Sequence, residues 1–223
     1  MNNLKVHTFN RLGFGPRPED LEHSLFNLEE YLEEQLYPMN IVPDGMDQRL
    51  MGLDTLDMSP LEFLQKYPDR RQQRVGREQL TAAKLLRAVY SDRQLQEVMV
   101  DFWFNHFNVF GGKGACKFLV SSYEREAIRP YVFGKFRELV SATAQHPAML
   151  FYLDNWLSVS PSVRRRGRRR GLNENYAREL MELHTLGVDG GYTQEDVISV
   201  ARAFTGWTIS GRKDPTFRFE SGS

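Results

Sequence analysis

Apolar residues in this chain recur at three- and four-residue intervals, and no stretch alternates apolar with polar in a way that reads as a strand. That spacing is the period of an α-helix with one buried face. Glycine, proline and cap-forming residues break the pattern again and again, so the chain is predicted to fold as many short helices packed across one another. The expected class is all-α, a multi-helical orthogonal bundle without a substantial sheet. Residues 1–223 are expected to form one helical domain, since this length buries a core of its own.

The helices are marked out by their ends. A helix with acidic residues between its leucines is expected from Arg17 to Leu36, closed by Pro38. The stretch Ile41–Pro68 reads as connection, with a short helix around Ser59–Lys66. A helix from Arg77 to Tyr90 follows. Ser91 with Gln94 has the spacing of a reciprocal cap and is expected to open a central helix running to Asn108. That helix carries apolar residues on two faces and is expected to be buried. Ser121 with Glu124 repeats the capping signature, Gly134 separates two helices, and Pro147 stands in the first turn of another. Asn173 precedes a helix to Leu186 that stops at Gly187, and Thr193 with Asp196 caps the last.

Composition excludes several functions. The 29 basic and 29 acidic residues cancel, so bulk charge favours no polyanionic partner. Six arginines crowd into Arg164–Arg170, where like charges repel, and 161–171 is expected to be a flexible solvated loop. Aromatic residues do not interleave with these arginines, so nucleic-acid binding ranks last among the readings. The single cysteine, Cys116, excludes a disulfide framework or a cysteine-ligated metal centre and reads as a buried small residue. No run approaches the length of a membrane span, and the N-terminus has no apolar signal core. As it stands the sequence reads as cytoplasmic, and its end, PTFRFESGS, reads as an extended stretch that is cut rather than finished.

Chemistry is expected where polar residues share a face. On a helical wheel Asn175, Arg178, Glu179 and Glu182 form one stripe, which is either a solvated face knitted by charge pairs or one wall of a ligand site. Glu182 and His184 lie about 160° apart on that wheel, so they do not form a two-ligand metal motif, and no metal is expected. His184 faces the apolar arc and reads as structural, in a turn where a protonated ring would complement the helix dipole. His106, beside Asn105 in FWFNHFN, needs polar partners inside aromatic walls, as a core network or as an acid–base site. His146-Pro147 and Asp154-Asn155 bracket a short apolar helix. They act as caps, or they return Asp154 and Asn155 toward the same pocket. Gly13–Pro16 lacks the lysine and hydroxyl residue of a phosphate loop and reads as a turn.

Five blocks carry a resemblance: NRLGFGPRPEDLE, DFWFNHFNVF, YEREAIRPYVFGKFRELV, QHPAMLFYLDN and LNENYARELMELHTLGVDGGYTQEDVISVARAFTGWTI. In this order they closely resemble the bacterial domain of unknown function 1800 family, and the last is its most specific signature. The resemblance implies that this chain is the N-terminal half of a longer family domain, with the missing C-terminal half as its partner. Family members often begin with an export leader, which the sequence as it stands does not show; the resemblance implies a periplasmic or cell-envelope setting only where such a leader is missing from it. It names no reaction or cofactor.

Two functions follow as expectations. One is an enzyme or ligand-binding protein for a small polar ligand, with His106, Glu179 and Glu182 as catalytic groups and Asn105, Asp154, Asn155, Asn175 and Arg178 as ligand-binding groups. The other is a scaffold in which the same residues are caps and core networks, with an exposed apolar patch as its mark.

Overall fold

A computed structural model describes residues 3–22, 26–42, 45–159, 171–211 and 215–221. Helix α1 (Asn3–Leu12) leads through the Gly13–Pro16 turn into α2 (Pro18–Glu22) and α3 (Leu28–Leu36). The expected long helix from Arg17 is thus two. Phe26 and Asn27 are non-helical, and the Asn27 side chain accepts the amides of Glu29 and Glu30, a competent cap inside the run. Helices α4 (Met46–Arg49) and α5 (Pro60–Lys66) follow, α5 opened by a reciprocal Ser59–Glu62 cap.

The centre is built by α6 (Arg74–Tyr90), α7 (Gln94–His106), α8 (Cys116–Tyr123), α9 (Phe136–Gln145) and α10 (Pro147–Tyr152). Helix α8 touches α5, α6 and α10, and its buried Leu119, Val120 and Tyr123 pack with Val100, Phe107 and Met149 in the main core. Gly76 lets α6 reach α8: a Cβ there would lie 2.8 Å from the Lys117 carbonyl oxygen and 2.9 Å from the Phe63 ring.

Two expected caps are used otherwise. Ser91 ends α6, and α7 begins at Gln94, whose carboxamide donates to the Ala88 and Ser91 carbonyls and so closes the corner between the helices. Ser121 lies inside α8, which continues as a π-helical segment over Glu124–Ile128. Glu124 is drawn into a buried ion network instead of a cap. Arg129 reaches both Glu97 oxygens at 2.8 and 3.0 Å and Glu124 at 2.9 Å, and Arg87 lies 3.3 Å from Glu124. The network ties α6, α7 and the end of α8 together. Helix α7 is buried on one face only: Val100 and Phe104 are covered, while Phe102 stands out and is 55% exposed.

Beyond α10, Val159 N–H donates to the Gly171 carbonyl at 3.3 Å, so the described flanks of the arginine-rich stretch meet. Residues 160–170 themselves lie outside the described residues, and with them the expected loop except Gly171. Helix α11 (Asn175–Glu179) continues as a second π-helical segment, Leu180–Thr185, and packs on α12 (Gln194–Ala203), which has the expected Thr193–Asp196 cap. Strands β1 (Trp207–Ser210) and β2 (Thr216–Phe219) then form an antiparallel hairpin, Trp207 facing Phe219, with β1 against α10. The fold is mainly α-helical as expected, with this hairpin as an addition.

Candidate functional site

The residues singled out in the sequence fall in three places. His106, half-buried on α7, donates from Nε2 to the His184 carbonyl at 3.0 Å, and its ring lies among Phe102, Trp103 and Phe107. Asn105 is exposed and donates to Asp101 of its own helix. At the end of α10, Asp154 adopts a left-handed backbone conformation (φ 59°) and lies 3.2 Å from Lys113 Nζ. The neighbouring Asn155 is buried and donates to the Phe204 and Trp207 carbonyls, holding the start of the hairpin.

On the outer side of α11, Arg178 reaches Glu174 at 3.2 Å, Gln194 at 2.9 Å and Glu182 at 3.6 Å, a polar chain linking α11 to α12. Asn175 is exposed, and Glu179 is half-buried. Among the described residues no hydrogen bond or ion pair joins any of these eight across the three places. His184 is buried against Phe107 and Tyr176, as expected of a structural histidine. Its ring is not protonated, however: burial first, and then the facing His106, push its pKa down to about 4. The thiol of buried Cys116 is pushed up to about 12, chiefly by burial, which leaves it inert.

A different pair sits where a cavity meets perturbed titratable groups. His146 is 8% exposed and caps α10: its Nδ1 accepts the Ala148 amide at 3.1 Å. With Nδ1 occupied as an acceptor, the neutral ring carries its proton on Nε2. Nε2 lies 3.8 Å from Glu126 Oε2, longer than a direct hydrogen bond. Burial lowers the His146 pKa against the opposing pull of Glu126. The imidazole, and then the Arg125 guanidinium, hold the Glu126 carboxyl below its usual range.

Both side chains open on a cavity of about 350 Å³ whose other walls include Leu119, Ser122, Pro147 and Phe217. The π-helical segment places Glu126 there, and the hairpin closes the far side through Pro215–Phe217. Sequence reasoning marked His146 only as a polar point beside a helix. It passed over Glu126, whose partner lies twenty residues away. A histidine before a helix-starting proline was the available signal, and nothing local pointed to the glutamate.

Among the described residues no three histidine, cysteine or acidic side chains gather as a metal site, and no helix is long and apolar enough to cross a membrane. A family model described as "Protein of unknown function (DUF1800)" matches residues 7–223. No curated protein and no solved structure matches the chain.

Proposed function

The chain belongs to this DUF1800 family of unknown function, and from that premise we propose that it is a small-molecule-binding protein whose site is the His146–Glu126 cavity. The observation that carries the reading is the fixed polarity of the pair. Nδ1 of His146 is held by the α10 backbone, so Nε2–H is a committed donor beside a committed acceptor, the Glu126 carboxylate. A ligand that suits both offers an oxygen to the imidazole and an O–H or N–H to the carboxylate. Small hydroxy-carbonyl compounds and primary amides have this arrangement. Leu119, Pro147 and Phe217 receive their apolar part.

The same polarity suits proton transfer. A ligand that fills the cavity strips water from Glu126, which strengthens the carboxylate as a base, while the neutral imidazole stabilises negative charge growing on the ligand oxygen. Ligand-observed NMR with hydroxyacetone and with acetamide is the direct test. Saturation transfer should appear for the native protein and fall at least several-fold in Glu126→Gln, which keeps the shape of the side chain. Equal transfer in the variant sinks the proposal. Independently of any ligand, ¹⁵N correlations of the His146 ring should show the Nε2–H tautomer.

A second reading, a scaffold that docks a partner protein, is favoured by the half-exposed Phe102 and Phe136, which are joined through the Trp103 ring at 4.9 and 5.7 Å. Under that reading Phe102→Ser abolishes partner binding and leaves the hydroxyacetone signal unchanged.

A further inference from the structure

A second cavity, of about 510 Å³, lies between α1, α2 and α3 and is separate from the His146 site. Its base is a triad of aromatic rings. Phe9 meets Phe26 at 5.6 Å and Tyr31 at 5.1 Å, and Phe26 meets Tyr31 at 5.8 Å. Packing alone explains why rings cluster, yet it leaves two features over. The first is the Tyr31 hydroxyl, which is buried and has no hydrogen-bond partner among the described residues. A buried hydroxyl without a partner costs folding free energy, so something should meet it in the working protein. The second is the charge around the mouth, where five carboxylates face two basic residues.

Four of the five carboxylates lie outside the ion pair that Arg17 makes with Asp92. Arg17 is spent on Asp92, at 2.7 Å, and on the Ser91 carbonyl. Lys5 already presents its ammonium to the Phe26 ring at 5.8 Å, so this aromatic base takes a cation within the fold itself. Glu30 and Glu34 stand exposed at the rim, and their carboxylates make no hydrogen bond or ion pair among the described residues. The negative field reaches the phenol: burial first, then Asp20 and Glu34, push the Tyr31 pKa up to about 12.

Aromatic faces below a carboxylate rim attract an organic ammonium ion by two additive forces, the ring quadrupole and the rim charge. We propose that the Phe9–Phe26–Tyr31 cavity binds a small organic ammonium ion, its methyl or methylene groups against the rings and its charge toward Glu30 and Glu34. A hydroxyl or carbonyl on the ligand meets Tyr31 Oη. An anionic ligand is disfavoured by the same rim.

Isothermal titration of the full chain with choline, and with 3,3-dimethyl-1-butanol, which has the same shape without the charge, tests this. Choline should bind at least about tenfold more tightly than the neutral compound, the factor expected of a partly desolvated cation–π contact. The double variant Glu30→Gln/Glu34→Gln should weaken choline several-fold. Both glutamates are exposed, so the fold survives this change and the readout stays interpretable. Tyr31→Phe keeps the ring and should also weaken choline, while its thermal stability stays equal or rises because the buried hydroxyl is gone. Equal binding of the two compounds, no binding of choline, or indifference to the double variant overturns the proposal. Sedimentation with phosphatidylcholine vesicles separates the sources: a chain that stays in the supernatant takes the free cation, and one that pellets takes the lipid headgroup.

Discussion

At the scale of single residues, burial decides what each polar group does. Arg129 shows the balance. Burial opposes its charge, but the hydrogen bonds and charge of Glu97, then those of Glu124, outweigh it and leave the guanidinium more firmly protonated than usual. Replacing such a network with apolar groups is often harmless, whereas removing one partner leaves a buried charge alone. Arg129→Met leaves Glu97 without its arginine and Glu124 with Arg87 alone, and should cost about 3–5 kcal/mol in urea unfolding. A loss below about 1 kcal/mol would mean that water reaches these carboxylates. Asn155 works on a smaller scale. Asn155→Ala removes the two bonds that hold the Phe204 and Trp207 carbonyls, and it should speed amide exchange in the hairpin before it lowers global stability.

At the scale of elements, close approaches and widened turns matter more than propensity. Gly76→Ala is favourable for an isolated helix, but here the new methyl meets the Lys117 carbonyl and the Phe63 ring. It should destabilise the protein by roughly 1–3 kcal/mol, read as a lowered urea midpoint with an unchanged slope. The π-helical segment over Leu180–Thr185 is the second case. Thr185 Oγ1 donates to the Leu180 carbonyl at 2.6 Å, and the Leu186 amide to Met181 at 3.0 Å, so the turn holds one residue more than an α-turn. Deleting Leu183, whose side chain is exposed, lets the turn close to α geometry and carries His184 away from Phe107. Its imidazole pKa should then rise from about 4 toward 6.5, as followed by NMR titration.

At the scale of the whole molecule, the buried His146 and His184 contribute to acid stability. His146 and His184 both have folded-state pKa values below the 6.5 of an exposed ring, so below pH 6.5 the unfolded chain binds more protons than the folded one. Their contribution is complete above pH 6.5 and is lost as the pH falls through each folded-state pKa, which for His184 is about 4. His184 alone accounts for a change on the order of 3 kcal/mol over that window. His184→Gln should flatten the stability curve there, and a curve as steep as the native one would show that the buried ring does not couple to folding.

The helical class, the cap at Thr193 and the family resemblance were legible in the sequence because periodicity, capping and motif order are properties of neighbours along the chain. The short helix after Ser59 and the helix start at Pro147 were legible for the same reason. Ser91–Gln94 and Ser121–Glu124 had the right spacing for caps and were used otherwise, because a corner between helices gave Gln94, and a buried arginine gave Glu124, other partners. The bond from His106 to the His184 carbonyl, the widened turns and the His146–Glu126 pair were legible only in the tertiary structure. A carboxylate's environment is fixed by which distant helix lies beside it, and a helical wheel drawn at a constant angle per residue fails wherever one extra residue enters a turn.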